Sequence, residues 1–379
     1  MKKQILILIM ALIAISFSTA YGQLAPRTIT CLSSDALHPV AGTPYNYIID
    51  VPTPDGTKEY TWLVTQDQHF INAGVLTANR ENTSGNLLAV TGTGYNDVTN
   101  GTNTLSLTWK NFAYDPNKPV FVVIQVKNDA GSGACVTQNM KVYKIQPQNS
   151  FTLDIANLLP GASPNVAGAI VPGYGSNIDK CIHDIVDAAY DANAPEGVIY
   201  DYGTDYMFYE VVAANFTDSW KPSFTLDGVD ANETVTVEWA TDKAFTTTHS
   251  LTLAAGVWSS ADVYNVVPAG GVVGSTGVSI YVRVTLDHST TTKNYQGLAD
   301  EVVRLAVDGL TNLNAVAPAL PLGDVHYANG VQSAGPPVVC NPLIVDGFVN
   351  DIAQQTLKPR PAINTGAGMP APGLLPVKP

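Results

Sequence analysis

Apolar and polar residues alternate along much of this chain with a period of two. Thr104-Leu105-Ser106-Leu107-Thr108-Trp109 does so, as does the longer run from Val278 to Leu286. Such alternation buries one face of a β-strand and wets the other. Further segments rich in β-branched and aromatic residues predict strands at Tyr45–Val51, Tyr60–Thr65, Val120–Lys127, Met140–Ile145, Tyr206–Ala213, Thr234–Ala240, Ser250–Leu253 and Glu301–Val307. Turn formers separate them: Pro54-Asp55-Gly56, Asn82-Thr83-Ser84-Gly85, Asn100-Gly101 and Asp129-Ala130-Gly131. One segment reads differently. Ile182, Ile185, Val186 and Ala189 recur at helical spacing and predict a short helix between Ile182 and Ala194.

Short strands at close spacing predict an all-β chain of two antiparallel sandwiches. The reading places a signal peptide at 1–22, a first sandwich at 23–147, a Pro/Gly-rich linker at 148–176, a second sandwich at 177–345 and a Pro-rich tail at 346–379. Pro160, Gly161, Pro164, Gly168, Pro172, Gly173 and Gly175 argue against a regular element in the linker. Pro359, Pro361, Pro370, Pro372, Pro376 and Pro379 predict an extended tail without a packed core.

The front of the chain fixes the compartment. Lys2 and Lys3 precede an apolar stretch from Ile5 to Phe17, and Ala20 and Gly22 frame a cleavage position before Gln23. The stretch is short for a membrane span, so the mature chain carries no predicted transmembrane segment. Export places the protein at the cell surface or outside the cell, with the periplasm as the other destination. In an oxidising compartment four cysteines read as two disulfides, and pairing Cys31 with Cys135 and Cys181 with Cys340 keeps each bridge inside one block. The formal net charge of −13 argues against nucleic acid as a partner, because that binding rests on clustered Lys and Arg.

The first block also resembles a known class. Tyr60-Thr61-Trp62, the strand ending at Trp109, the run Val122-Val123-Ile124-Gln125-Val126-Lys127-Asn128 and Cys135 are similar to the PKD-like and Ig-like domains of secreted surface proteins of gliding bacteria. The resemblance spans residues 28–147 and implies an adhesive or spacer role in place of catalysis.

Motifs for chemistry are sparse. The six histidines show no HExxH spacing, and the chain contains no GxSxG elbow, P-loop or dinucleotide fingerprint. Catalytic residues are therefore not assigned and the chain is read as a non-enzyme. Asp227, Asp230, Asn232 and Glu233 form an oxygen-rich turn that could take Ca²⁺, although not with EF-hand spacing. No other cofactor is expected. Tyr190, Tyr200, Tyr202, Tyr206 and Tyr209 form a dense aromatic stretch that could stack on sugars or anchor a protein, with core packing as the alternative. The leading reading is an exported, non-enzymatic structural protein: an adhesin, or the self-assembling subunit of a fibre or surface layer joined by strand addition through its N-terminal segment or tail. Its expected partners are further copies of itself or other surface proteins. The other readings are a Ca²⁺-assisted carbohydrate-binding module and, behind it, a β-sandwich glycoside hydrolase.

Overall fold

The computed structural model describes residues 34–52, 56–92, 95, 101–112, 115–129, 136–171, 177–193, 198–217, 219–259, 277–289, 297–311, 322–324 and 351–363. The export segment and Cys31, Cys135 and Cys340 lie outside this set. Every regular element within it is a strand, so the all-β prediction holds.

The first block contains β1 (Pro44–Ile48), β2 (Thr57–Thr65), β3 (Ile71–Asn72), β4 (Val75–Leu76), β5 (Leu88–Thr91), β6 (Thr104–Trp109), β7 (Val120–Asp129) and β8 (Val136–Ile145). Two antiparallel three-stranded sheets, β1-β6-β5 and β2-β7-β8, face each other, and β3 pairs with β4. Alternation decides what fills the space between the sheets. Tyr45, Tyr47, Leu105, Leu107 and Trp109 come from one sheet; Trp62, Val64, Val122 and Ile124 come from the other. Burying a Trp requires a partner for its N–H. Trp62 donates to the Thr102 carbonyl at 2.9 Å and Trp109 to the Tyr47 hydroxyl at 3.2 Å.

The second block contains β9 (Thr152–Pro160), β10 (Ala167–Ile170), β11 (Asn177–Cys181), β12 (Asp187–Tyr190), β13 (Val198–Asp201), β14 (Thr204–Ala214), β15 (Trp220–Asp227), β16 (Thr234–Ala240), β17 (His249–Ser250), β18 (Thr252–Ala254), β19 (Val257–Ser259), β20 (Val278–Asp287), β21 (Glu301–Thr311), β22 (Leu322–Gly323) and β23 (Asp351–Lys358). A six-stranded sheet runs β10-β9-β14-β20-β16-β17. A seven-stranded sheet runs β11-β23-β21-β15-β19-β18, with β22 attached to β21. Leu153, Tyr209, Val211, Val282, Val284 and Trp239 of the first sheet meet Phe224, Val303, Leu305, Val307, Ala353 and Leu357 of the second in one core.

The structure corrects three expectations. The predicted linker is structural: Phe151, Leu153 and Ile155 alternate into the core, and β9 lies beside β14 from Thr152 to Leu158. Its prolines and glycines mask this because they punctuate the strand without interrupting it. Gly168 lies so close to β9 that a side chain there would meet the Pro160 carbonyl at 2.7 Å. The predicted tail also supplies a strand. Ala353, Gln355 and Leu357 point inward, and the prolines begin only at Pro359, one residue past β23. Within the predicted helix at 182–194, Asp187 to Tyr190 instead form β12, which pairs with Asp201 to Val198 of β13 as a two-stranded ribbon. Val198, Ile199 and Tyr200 provide a strand-favouring partner. Asp191 Oδ1 accepts from the Asn193 N–H at 2.9 Å, a side-chain turn that ends β12. Ile185 and Val186, the intended buried face of the helix, are exposed.

Candidate functional site

Register determines what the ribbon displays. Ala188 lies opposite Tyr200 and Tyr190 opposite Val198, so these four side chains share one face, while Asp187, Ala189, Ile199 and Asp201 take the reverse. Tyr202 continues the row and stacks on Tyr200, with ring centroids 5.5 Å apart and planes 24° apart. The Arg360 guanidinium covers Tyr202 at 4.4 Å and donates to the carbonyls of His183 at 2.5 Å and Tyr202 at 3.3 Å. Arg360, Tyr202 and Tyr200 therefore form one stack, and Tyr190, 66% exposed, stands diagonally across from Tyr200.

Beneath the ribbon lies a buried charged row. Asp205, the second residue of β14, is within 2.9 Å of Lys180 Nζ and 3.4 Å of His288 Nε2, and it accepts the His183 N–H at 2.9 Å. His288 Nδ1 lies 2.9 Å from Glu233 Oε1. Burial by itself would lower the His288 pKa. The flanking carboxylates of Asp205 and Glu233 overcome it and push the imidazole up to about 9, so the ring is cationic at neutral pH. Burial would likewise raise the Asp205 pKa, but His288, Lys180 and the His183 amide draw it down to about 2. Gly203 joins the ribbon to β14 with φ +74°, a backbone state that disfavours a side chain; a Cβ there would meet His183 Nδ1 at 2.5 Å. Its carbonyl accepts the His288 N–H at 2.9 Å, which ties the ribbon to the charged row.

The five tyrosines of the sequence stretch part company. Tyr190, Tyr200 and Tyr202 share the ribbon face. Tyr206 turns to the outer face of the six-stranded sheet, stacked on Phe208 and 5.7 Å from the Arg283 guanidinium. Tyr209 is buried in the core, where desolvation raises its pKa far above the ordinary phenol range.

The oxygen-rich turn does not converge on a point. Asp227 lies largely in solvent, 3.5 Å from Arg304, and Asp230 Oδ1 accepts from the Asn232 backbone and side-chain N–H groups. Glu233 turns inward to His288. The geometry thus opposes shared coordination of a Ca²⁺ ion, and no metal-binding group of three or more His, Cys, Asp or Glu occurs among the described residues. Cys181 is an exposed free thiol among the described residues, and its predicted partner Cys340 lies outside them.

Sequence reading missed Lys180, Asp205, His288 and Arg360. The Asp205–His288 relation spans much of the second block and has no local spacing signature. Asp205 beside the tyrosines was the only pointer.

No family model matches the chain, and no curated protein matches it. Solved structures similar to it include CfaE, the adhesive subunit of the CFA/I fimbria of enterotoxigenic Escherichia coli, at 9% identity and TM-score 0.26, covering 89% of this chain and 86% of that one. The CupB6 tip adhesin from Pseudomonas aeruginosa is also similar, at 9% identity and TM-score 0.23, covering 88% and 96%. With TM-scores this low, neither protein's role carries over to this chain. Among the described residues no helix is long and apolar enough to cross a membrane.

Proposed function

We propose that this chain is an exported, non-enzymatic surface adhesin that assembles with further copies of itself by exchanging its C-terminal strand. The supporting observation is the position of β23. It is an inner strand, parallel to β11 on one side and antiparallel to β21 on the other, yet it reaches that position from β22 only after residues 325–350. Its seat is specific. Gln355 Nε2 donates to the Phe208 carbonyl at 2.9 Å, and Asn157 Nδ2 donates to the Gln354 carbonyl at 2.8 Å. A strand from a second copy would make every one of these contacts, so exchange leaves their sum unchanged. A connection of this length gives the strand an effective concentration on the order of millimolar at its own seat. Copies crowded on a surface approach that value, whereas a dilute solution favours closure within one chain. Repeated head to tail, exchange yields an open polymer.

Cys181 lies opposite Lys358 across β11 and β23. Adjacent strands sit about 4.8 Å apart, within the Cα range of a disulfide. The Lys358→Cys variant, concentrated, partly unfolded, refolded and oxidised, should run as a covalent ladder on non-reducing gels. Adding Cys181→Ser should abolish the ladder. A cross-link confined to monomers would overturn strand exchange.

A further inference from the structure

Independently of assembly, we propose that the outer face of the β12–β13 ribbon binds an uncharged glycan, with Tyr190 and Tyr200 as its stacking platforms. Tyr202 does not serve as a platform, because Tyr200 stacks on its ring and the Arg360 guanidinium lies 4.4 Å from its centroid. Tyr190 is 66% exposed, Tyr200 is half-buried, and the small side chain of Ala188 lies opposite Tyr200. Diagonal neighbours on an antiparallel pair lie about 7–8 Å apart. An oligosaccharide of two or more units spans that distance.

The ligand class follows from chemistry and size. A pyranose presents one face of C–H groups, slightly positive, which packs on the negative π-face of a tyrosine while its hydroxyls reach phenol and carboxylate oxygens. Asp184, Asp187, Asp191 and Asp201 all lie on or beside the ribbon and repel sulfated or sialylated chains, as well as nucleic acid. A protein partner is a poorer fit. A stable interface needs about 800 Å² on each side, and this face offers two residues from each of two strands. The ribbon is also tied to the ion row of Lys180, Asp205, His288 and Glu233, because the Gly203 carbonyl at its end accepts the His288 N–H.

The test is a printed array of neutral β-glucans, galactans and mannans beside sialylated and sulfated glycans, probed with the mature chain at a dilution where it is monomeric. Neutral oligosaccharides should be retained. Tyr190→Ala and Tyr200→Ala should each weaken retention about tenfold, and Tyr190→Phe, which keeps the ring, should not. An unchanged thermal midpoint in Tyr190→Ala would separate lost binding from lost folding. Retention only of anionic glycans, of none, or of a protein ligand through the same tyrosines would overturn the proposal, as would neutral binding that survives both alanine variants.

Discussion

His288 and Glu233 face each other at 2.9 Å beyond the ends of two neighbouring strands, His288 just after β20 and Glu233 just before β16. Asp205, near the start of β14 on the other side of β20, takes the second imidazole nitrogen at 3.4 Å. One cation thus holds two buried carboxylates at one end of three adjacent strands.

The pH dependence of stability follows from this row. The folded-state pKa of His288, about 9, lies above its ordinary value of 6.5. Its contribution is therefore complete below about pH 6.5 and is lost as pH rises through about 9. The folded-state pKa of Asp205, about 2, lies below its ordinary value of 3.8. That contribution is complete above about pH 3.8 and is lost as pH falls through about 2. Thermal melts should show greatest stability between about pH 4 and 6.5 and a decline from pH 7 to pH 10. His288→Gln leaves both carboxylates without their shared cation, which costs about 3–5 kcal/mol and should flatten the alkaline limb. A variant whose melts keep the wild-type decline would assign that decline to other groups.

Truncation separates the role of β23 from that of the residues after it. A chain ending at Asn350 lacks β23 and uncovers the core beside Val303 and Leu305, so its second block should lose cooperative melting and fall to limited proteolysis. A chain ending at Pro361 keeps β23 and Arg360 and should melt like the full protein. Within the strand, Leu357→Ala should cost about 2–5 kcal/mol, read by urea denaturation, because Leu357 is buried in the core.

Gly228 is a position where the backbone decides. Its φ is +84° and a Cβ would lie 1.9 Å from the Val302 carbonyl oxygen. Gly228→Ala should therefore destabilise by more than about 1 kcal/mol, although glycine-to-alanine changes elsewhere often stabilise. Urea melts of the two proteins decide it.

Calcium removal tests the oxygen-rich turn. Because Asp227, Asp230 and Glu233 serve separate partners, chelation with EDTA should move the thermal midpoint by less than about 1 °C. A rise of several degrees on adding Ca²⁺ would mean that these side chains rearrange around the ion.

Much of the framework is legible in the sequence. Thr104–Trp109, Val278–Asp287 and Thr234–Ala240 sit where their alternation placed them, because a half-buried strand writes its period directly into local sequence. Elements that depend on distant partners were hidden. β9 follows the same alternation but ends in Pro160 and runs into Gly161; β23 immediately precedes a proline-rich stretch. The apolar spacing of Ile182 to Ala189 fits a helix in isolation, and only pairing with Val198–Asp201 makes it a ribbon.

The site shows the same division. Local pattern and composition alone establish the aromatic stretch, its acidic surroundings and the absence of familiar catalytic motifs. Tertiary structure decided which tyrosines lie together, because strand register sends Tyr190, Tyr200 and Tyr202 to one face of the ribbon and Tyr209 to the core. It also decided that Arg360, far along the chain, caps the stack, and that His288 binds Asp205 and Glu233 into one buried row. Contacts of this kind are fixed by the pairing of strands remote in sequence, and no local pattern of residues records that pairing.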